Sequence, residues 1–365
     1  IKLFYSLKTF PYFAILYEVY VERVCNMSRL TNKNIARICN VGTSTVSRAI
    51  NDDPTVNWKT KQMILDAVQK YHYVPNNSAR NLKRSESNNV AVLVKGQNNN
   101  FFQSMYGVFE DELQKYGYTF TMREAGTYDD EMNIAQELIR EKRLKGIIFL
   151  GGMMENPDYE LRHIDIPYVL CTVALKENHP DCSFTSIDDE KESEKAVSYL
   201  CEMGHRKIAM ISSLKSDIGV GNLRQKGYKK ALAKYGIPYD ENLVGHMKEN
   251  IPDYSYENGY EVTKELLSSG NDFTALFAIS DTTAFGAYRA ILESGKRIPE
   301  DISIIGFDGI DMTKFMYPSL TTIKQPGAEL ATESVQMLHA EINDKPHTYK
   351  VFDAALVEQE SIRHI

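Results

Sequence analysis

No apolar run in this 365-residue chain reaches the ~18 residues that a membrane span requires, so no membrane segment is expected. Cysteine is scarce and scattered. Cys25, Cys39, Cys171, Cys182 and Cys201 form no C-x-x-C pair and no metal-ligand spacing. An odd set of this kind suits reduced thiols in a cytoplasmic protein better than a disulfide framework. Neither metal nor cofactor is expected. The glycine signatures of nucleotide and acyl chemistry are missing too: no G-x-G-x-x-G after the first strand, no G-x-x-x-x-G-K-[ST] and no G-x-S-x-G. Gly219-Val220-Gly221 lacks the third glycine and an upstream strand in register, so nothing here supports an enzyme. A secreted solute-binding protein would need a signal peptide, and residues 1–26 offer neither its long apolar run nor its small-residue cleavage site.

What is present is globular and divided. Hydrophobic residues at 43% and charged residues at 25% exclude wholesale disorder, and the length allows more than one core. The formal charge of −7 argues at first sight against nucleic acid. It hides an asymmetry. Residues 27–87 hold ten Lys/Arg against four Asp/Glu, a net of +6; with +1 on residues 1–26, residues 88–365 carry −14. A small basic head on a large acidic body is the layout of a phosphate-touching module held by one that does not touch phosphate. Residues 1–26 are aromatic-rich, begin without Met and are interrupted by Pro11 and Glu18. They are expected to be a non-native leader with Met27 as the natural start; the rival is a hydrophobic membrane-proximal tail.

Helical signals fill residues 27–75. A helix over Asn32–Cys39 leads into a Val41-Gly42 turn, and a second runs from about Ser44 to Ile50. A third begins after Asn57, a residue suited to an N-cap, and presents Met63, Ile64, Ala67 and Val68 on one face. Pro75 stops it by forcing its predecessor out of the helical region. Residues 76–88 read as a polar hinge or linker. From 89 onward, strands at Val90–Val94, Tyr118–Met122, Gly146–Leu150, Pro167–Cys171, Lys207–Ser212, Ala275–Ile279 and Ser303–Phe307 alternate with amphipathic helices. Those helices fall at Gln103–Tyr116, Asp130–Arg143, Glu190–Met203, Arg224–Tyr235, Asn258–Ser268 and Thr282–Glu293. Strands so separated form parallel sheets with helices on both faces. The expected fold class is α/β: an all-α head, then two lobes around a cleft.

Residues 36–51 have the form of a helix-turn-helix, with Ala36 small enough for close packing and Val46 and Ile50 turned inward. At the start of the second helix Thr43 and Ser44 can reach base edges, and Arg48 offers a fork suited to guanine O6/N7. Thr45, Ser47 and Asn51 supply hydroxyl and amide groups of the kind that contact phosphate. On spacing alone, an ordinary surface hairpin of helices is the rival. The order of motifs goes further. Thr45-Val46-Ser47-Arg48-Ala49-Ile50-Asn51, then Tyr73-Val74-Pro75-Asn76, then Ala79-Arg80-Asn81-Leu82 resembles the LacI/GalR family of transcription factors. The resemblance spans roughly residues 28–361. It implies that the linker is a hinge helix folding on operator DNA, with Leu82 wedged into the minor groove and Arg80 and Lys83 on phosphate. Leu82 packing on the body is the alternative.

Body landmarks also resemble the family, among them Gly204-His205-Arg206, Arg224 before Gly227-Tyr228, and the segments 298–308 and 318–323. The implied body is of the periplasmic-binding-protein type, with lobes over about 89–188 plus 327–352 and about 189–323 plus 353–365. Its effector would sit at the carboxyl ends of strands between the lobes. Arg224 and Asp308 fall at the family's effector-contacting positions and Tyr254 at a stacking one, while Gln97, Phe101, Thr172, Ser280 and Asp281 would rim the same cleft. A buried structural ion pair is the rival for Arg224 and Asp308, as is core packing for Phe101 and Phe102; His205 reads as structural. Asn99-Asn100 stands where the family often has Asn-Pro, Ser280-Asp281 where it often has Asn-Asp, and Thr172 where many members have Asp. The family's ligands therefore do not transfer by name.

The implied function is a ligand-responsive regulator, expected to be a repressor, with a sugar as the first choice of effector. A purine or a phosphocarrier protein is the alternative, and a sugar-binding protein without DNA function is the alternative class. No heptad segment follows residue 361, so a homodimer is favoured over a tetramer, on a palindromic operator. Ligand would change the angle between lobes and the spacing of the hinges, a coupling of typically ~1–3 kcal/mol.

Overall fold

The computed structural model describes residues 32–50, 53, 55–70, 88–96, 99–126, 129–152, 161–173 and 182–365. The expectations for residues 1–26, Asn51, the stop at 73–76, the hinge with Arg80, Leu82 and Lys83, and Gln97 lie outside the described residues. The chain divides into two units, residues 1–86 and 87–365.

In the first unit, α1 (Asn32–Ile38), α2 (Thr43–Ile50) and α3 (Trp58–Lys70) close on one apolar cluster. It holds Ile35, Ala36, Cys39, Val46, Ala49, Ile64 and Ala67. The reversal between α1 and α2 turns on Asn40, one residue before the expected Val41-Gly42 pair. Asn40 takes φ 52°, Val41 N donates to Ala36 O at 2.9 Å, and Asn40 N donates to Arg37 O at 3.3 Å. These are the two bonds of a Schellman end, in which Asn can replace the usual glycine. Asn57 caps α3 by accepting from Lys59 N at 2.9 Å.

The second unit holds two six-stranded sheets. The first joins β1 (Asn89–Lys95), β2 (Thr119–Ala125), β3 (Gly146–Leu150), β4 (Tyr168–Cys171), β5 (Ser183–Ile187) and β11 (Tyr349–Phe352), in the order β11-β5-β4-β3-β1-β2 and parallel throughout. The second joins β6 (Ile208–Ser212), β7 (Val244–His246), β8 (Ala275–Ala278), β9 (Ser303–Asp308), β10 (Thr321–Lys324) and β12 (Ala355–Val357). Its order is β12-β10-β9-β8-β6-β7, with β12 antiparallel to β10. Helices α4 (Asn100–Lys115), α5 (Glu131–Lys142) and α10 (Gly327–Ile342) pack on the first sheet. Helices α6 (Asp189–Glu202), α7 (Val220–Lys234), α8 (Tyr256–Ser268) and α9 (Asp281–Glu293) pack on the second. Because helices cover both faces, central strands such as β1 read as unbroken apolar runs, and Val90–Val94 is buried residue by residue.

The chain passes between the sheets three times: from β5 to α6, from β10 to α10 and from β11 to β12. On the second lobe, α8 and α9 lie in backbone contact. A Cβ on Gly286 would sit 2.0 Å from Tyr256 O, and one on Gly259 would sit 2.1 Å from Thr283 O, so any larger residue there would drive the helices apart. Their N-termini thus arrive together at the edge of the cleft. Cys39, Cys171, Cys182 and Cys201 are buried free thiols. Among the described residues no helix is long and apolar enough to cross a membrane.

Candidate functional site

Two surfaces bear on function. On the head, burying Val46 and Ala49 orients α2 and leaves Thr43, Ser44, Ser47 and Arg48 exposed, with Thr45 half-buried. Hydroxyls thus lead the helix and a guanidinium follows one turn later. Such a surface can place donors against base edges and phosphates when the helix enters a groove by its N-terminus.

In the body, a cavity of about 190 Å³ opens between the lobes. Its wall is made where parallel strands end: Lys95 at the end of β1 and Gly96 after it, Gly151 and Gly152 after β3, Thr172 after β4, Met247 after β7, Asp308 at the end of β9 and Gln325 after β10. This is where open parallel sheets collect ligands, because side chains and loops there are released from the ladder. Phe101, Thr172, Arg224, Tyr254 and Asp308 all line it. Phe101 and Phe102 do both things expected of them, lining the cavity and packing in the core.

Arg224 is the anchor. Projecting from α7, its Nε donates to Asp189 Oδ1 at 2.7 Å, and one terminal nitrogen donates to Ile279 O at 2.6 Å and lies 3.7 Å from Asp308 Oδ1. Its guanidinium stacks over the Phe307 ring at 3.9 Å. Burial pushes the Asp189 carboxyl above the usual range, against the pull of Arg224. Burial likewise pushes Asp308 up to about 6, opposed by Arg224 and by the amide of Gln325, which donates to it at 2.8 Å. The cluster is therefore both a buried ion pair and part of the cavity wall.

Backbone strain gathers at the same place. Six described non-glycine residues have positive φ, and three of them line the cavity: Thr172 at 64°, Tyr254 at 52° and Asp308 at 120°. Holding Thr, Tyr and Asp in the left-handed region costs free energy, which a binding wall can justify. The Thr172 hydroxyl oxygen is buried without a hydrogen-bond partner, a group that a ligand could satisfy.

Two expected residues stand elsewhere. Ser280 caps α9, its hydroxyl accepting from Thr283 N at 3.2 Å. Asp281 is wholly buried and accepts from Gly309 N at 2.7 Å, Ile310 N at 2.9 Å and Thr322 Oγ1 at 2.6 Å. It faces the loop after β9 and not the cavity, because the first turn of α9 points its carboxylate back at those amides. Its task is to hold Asp308 in place. His205 is buried, with Nδ1 2.8 Å from Thr274 Oγ1, consistent with a structural role.

Several lining residues carried no clear signal in the sequence: Asp189, Lys95, Asp217, Asp253 and Gln325. Asn100 does not line the cavity but joins the lobes across it. Its amide donates to Tyr256 Oη at 2.7 Å and Thr282 Oγ1 at 3.3 Å, at the paired N-termini of α8 and α9. Among the described residues no group of three or more His, Cys, Asp or Glu is placed to hold a metal.

The raised pKa of Asp308 has a stability consequence. Its folded value of about 6 exceeds the ordinary 3.8, so the folded body takes up a proton first as pH falls. The stability linked to it is present at low pH and lost as pH rises through about 6; Asp281, raised by burial and by the charge of Asp308, acts in the same sense. Asp308→Asn fixes the neutral form. The variant should gain in melting temperature over the parent above about pH 6, and that lead should shrink as pH falls and be lost by about pH 4. A difference independent of pH would contradict the assignment.

The model of bacterial regulatory proteins of the lacI family matches residues 31–76, and that of the periplasmic binding protein-like domain matches residues 197–362. The HTH-type transcriptional regulator MalR of Clostridium butyricum is 37% identical over 343 residues, which cover 91% of this chain and 99% of that protein. The chain belongs to the LacI family. The HTH-type transcriptional repressor PurR of Vibrio atlanticus is 31% identical over 338 residues, covering 91% of this chain and 98% of its own. Among solved structures, the transcriptional regulator CelR in complex with cellobiose matches at a TM-score of 0.68 and 27% identity, covering 91% of this chain and all of that one. The protein is thus a LacI-family transcriptional regulator, with a helix-turn-helix head and a periplasmic-binding-protein-like body.

Proposed function

We propose that this LacI-family protein is a cytoplasmic, dimeric repressor that binds a palindromic operator and is controlled by a sugar in the cleft. The observation that carries the reading is the cavity itself. A buried Asp189–Arg224–Asp308 cluster, an aromatic at Tyr254 and the unpartnered Thr172 hydroxyl converge where the strands of both lobes end. Donors and acceptors so mixed suit the hydroxyls of a sugar, and Tyr254 suits its apolar ring face. The likeness to the CelR–cellobiose complex supports the same class. A purine is the second reading, since the ring of Tyr254 in the cavity wall would also stack on a flat heterocycle.

Pairing of two copies is supported by exposed apolar side chains on one short stretch of the body: Met312, Phe315 and Tyr317, the last two 80% and 92% exposed. Lone monomers rarely leave such residues together in water. Two heads related by a two-fold axis would read two half-sites.

Selecting binding sites for the full-length protein from random DNA should return an inverted repeat. Maltose, cellobiose or ribose at saturating concentration should then weaken operator binding by about 5- to 150-fold in fluorescence anisotropy. Failure to enrich any repeat would overturn the operator reading, and unchanged affinity under all three sugars, with a response to hypoxanthine or guanine, would move the effector to the purine class.

A further inference from the structure

Among the described residues, six charged ones line the cleft: the cations Lys95 and Arg224, and the carboxylates Asp189, Asp217, Asp253 and Asp308. Both cations are engaged by the protein itself. Arg224 is held by Asp189, Ile279 O and Asp308 as described. Lys95 Nζ donates to Asp129 O at 2.6 Å and lies 4.0 Å from Glu131 Oε1, on a glutamate side chain that is itself 9% exposed. Asp217 and Asp253 are not matched in this way. Asp217 accepts from Gly219 N at 2.7 Å, and Asp253 lines the same cleft, burial and the charge of Asp217 both raising its pKa.

The other local anion receptor is already filled. A helix as long as α7 would attract a phosphate or carboxylate to its N-terminus. There the carboxylate of Asp217 takes the amide of the capping residue Gly219, and a Cβ on Gly221 in the first turn would meet Asp217 Oδ2 at 2.2 Å. Asp217 is thus the anion of that helix end, and an anionic ligand arriving there meets a carboxylate. A neutral hydroxyl meets the same carboxylates as acceptors of charge-assisted hydrogen bonds. In a cleft poorly screened by solvent the difference between the two is large.

We propose that the cleft accepts a neutral polyhydroxylated effector and rejects phosphorylated or acidic ones, with Asp217 and Asp253 as the residues that enforce the choice. This rests on the reading of the cleft as a sugar site. It narrows that reading, setting aside sugar phosphates and sugar acids.

The test is calorimetric titration of the full-length protein with matched probes: glucose beside glucose 6-phosphate and glucuronate, ribose beside ribose 5-phosphate, and maltose and cellobiose beside maltobionate and cellobionate. In any pair that binds, the neutral member should bind at least about 100-fold more tightly, and Asp217→Asn with Asp253→Asn should narrow the gap to below about tenfold. Asparagine keeps an acceptor for Gly219 N, and relief of the like-charge pair offsets the charge lost at the α7 N-terminus, so the melting temperature should change little. If the double variant does melt early, Asp253→Asn alone, which sacrifices no hydrogen bond seen in the structure, should still narrow the gap severalfold. An acidic or phosphorylated member binding as tightly as its neutral partner overturns the proposal. So does a gap that the Asn variants leave unchanged. Failure of every probe to bind, neutral and anionic alike, overturns the sugar reading itself, which separates the two failures.

Discussion

Arg224→Ala is expected to destabilise the body by about 3–5 kcal/mol and to abolish its response to effector. The size follows from what the side chain leaves behind. Asp189, with 4% of its side chain exposed, loses its ion-pair partner, and Ile279 O loses a donor at 2.6 Å; an uncompensated buried charge is among the most costly defects a core can carry. From the sequence alone the same substitution is expected to spare DNA binding and remove only induction. The buried contacts of Arg224 change that expectation: operator affinity must be normalised to the folded fraction. The combination Arg224→Gln with Asp189→Asn separates the two roles, because it retains hydrogen-bonding groups, removes the charge of Asp189 with that of Arg224, and leaves Asp308 the amide of Gln325. It should recover at least about half of the stability in urea unfolding, as the double-mutant cycle of a coupled pair requires. It should not recover the effector response. Loss below about 1 kcal/mol for Arg224→Ala, together with normal induction, would remove the arginine from both roles.

How far the residues themselves announce this arrangement depends on the kind of signal. Strands β1, β3, β8 and β9 are legible because Val, Ile, Leu, Phe and Ala run through sheets covered on both faces, broken only by Gly306. Strand β5 is not legible: Ser183-Phe184-Thr185-Ser186-Ile187 looks polar. Its hydroxyls are in fact buried and paired, Thr185 Oγ1 with Ser334 Oγ at 2.7 Å and Ser183 Oγ accepting from Thr348 N at 3.0 Å. Both partners are more than 140 residues away in sequence, so no local window reveals them. Helix α10 carries Leu330, Ala331, Ser334, Val335 and Leu338 at helical spacing, but Pro326-Gly327 reads as a turn while serving as a helix start. The same limit governs the site. Asp189 sits in Asp188-Asp189-Glu190, which reads as a solvated first turn; only the end of β5 makes it buried. Asp281 and Asp308 both follow strands, and nothing local says which faces the cleft. The φ of 120° at Asp308 and the two loop amides on Asp281 decide it.

Arg48→Ala is expected to weaken binding to the selected operator by about 5- to 150-fold, or ~1–3 kcal/mol, while binding to random DNA falls by less than about threefold. The head is built so that this substitution is clean. Val46 and Ala49 hold α2 to the cluster with Ile35 and Ile64, and Arg48 is exposed beside them, so alanine removes no core packing and suits the helix. Asp53 turns its carboxylate to Thr55, accepting from N at 2.9 Å and Oγ1 at 2.5 Å, so no buried charge is stranded when the guanidinium goes. The expected asymmetry between the two DNAs comes from geometry. A guanidinium that forks onto guanine O6 and N7 discriminates between base pairs, whereas one that rests on phosphate supplies the same electrostatic attraction on every sequence. The salt dependence tells these apart independently. Removing a cation from a phosphate lowers the slope of log affinity against log salt by about one on both DNAs, and removing a side chain from a base edge leaves the slope in place. Thr45→Ala and Ser47→Ala provide the comparison, since their hydroxyls are assigned to phosphate and should weaken operator and random DNA alike. Equal losses on both DNAs for Arg48→Ala, with a reduced salt slope, would place Arg48 on the backbone and shift base reading toward Thr43 and Ser44 at the exposed start of the helix.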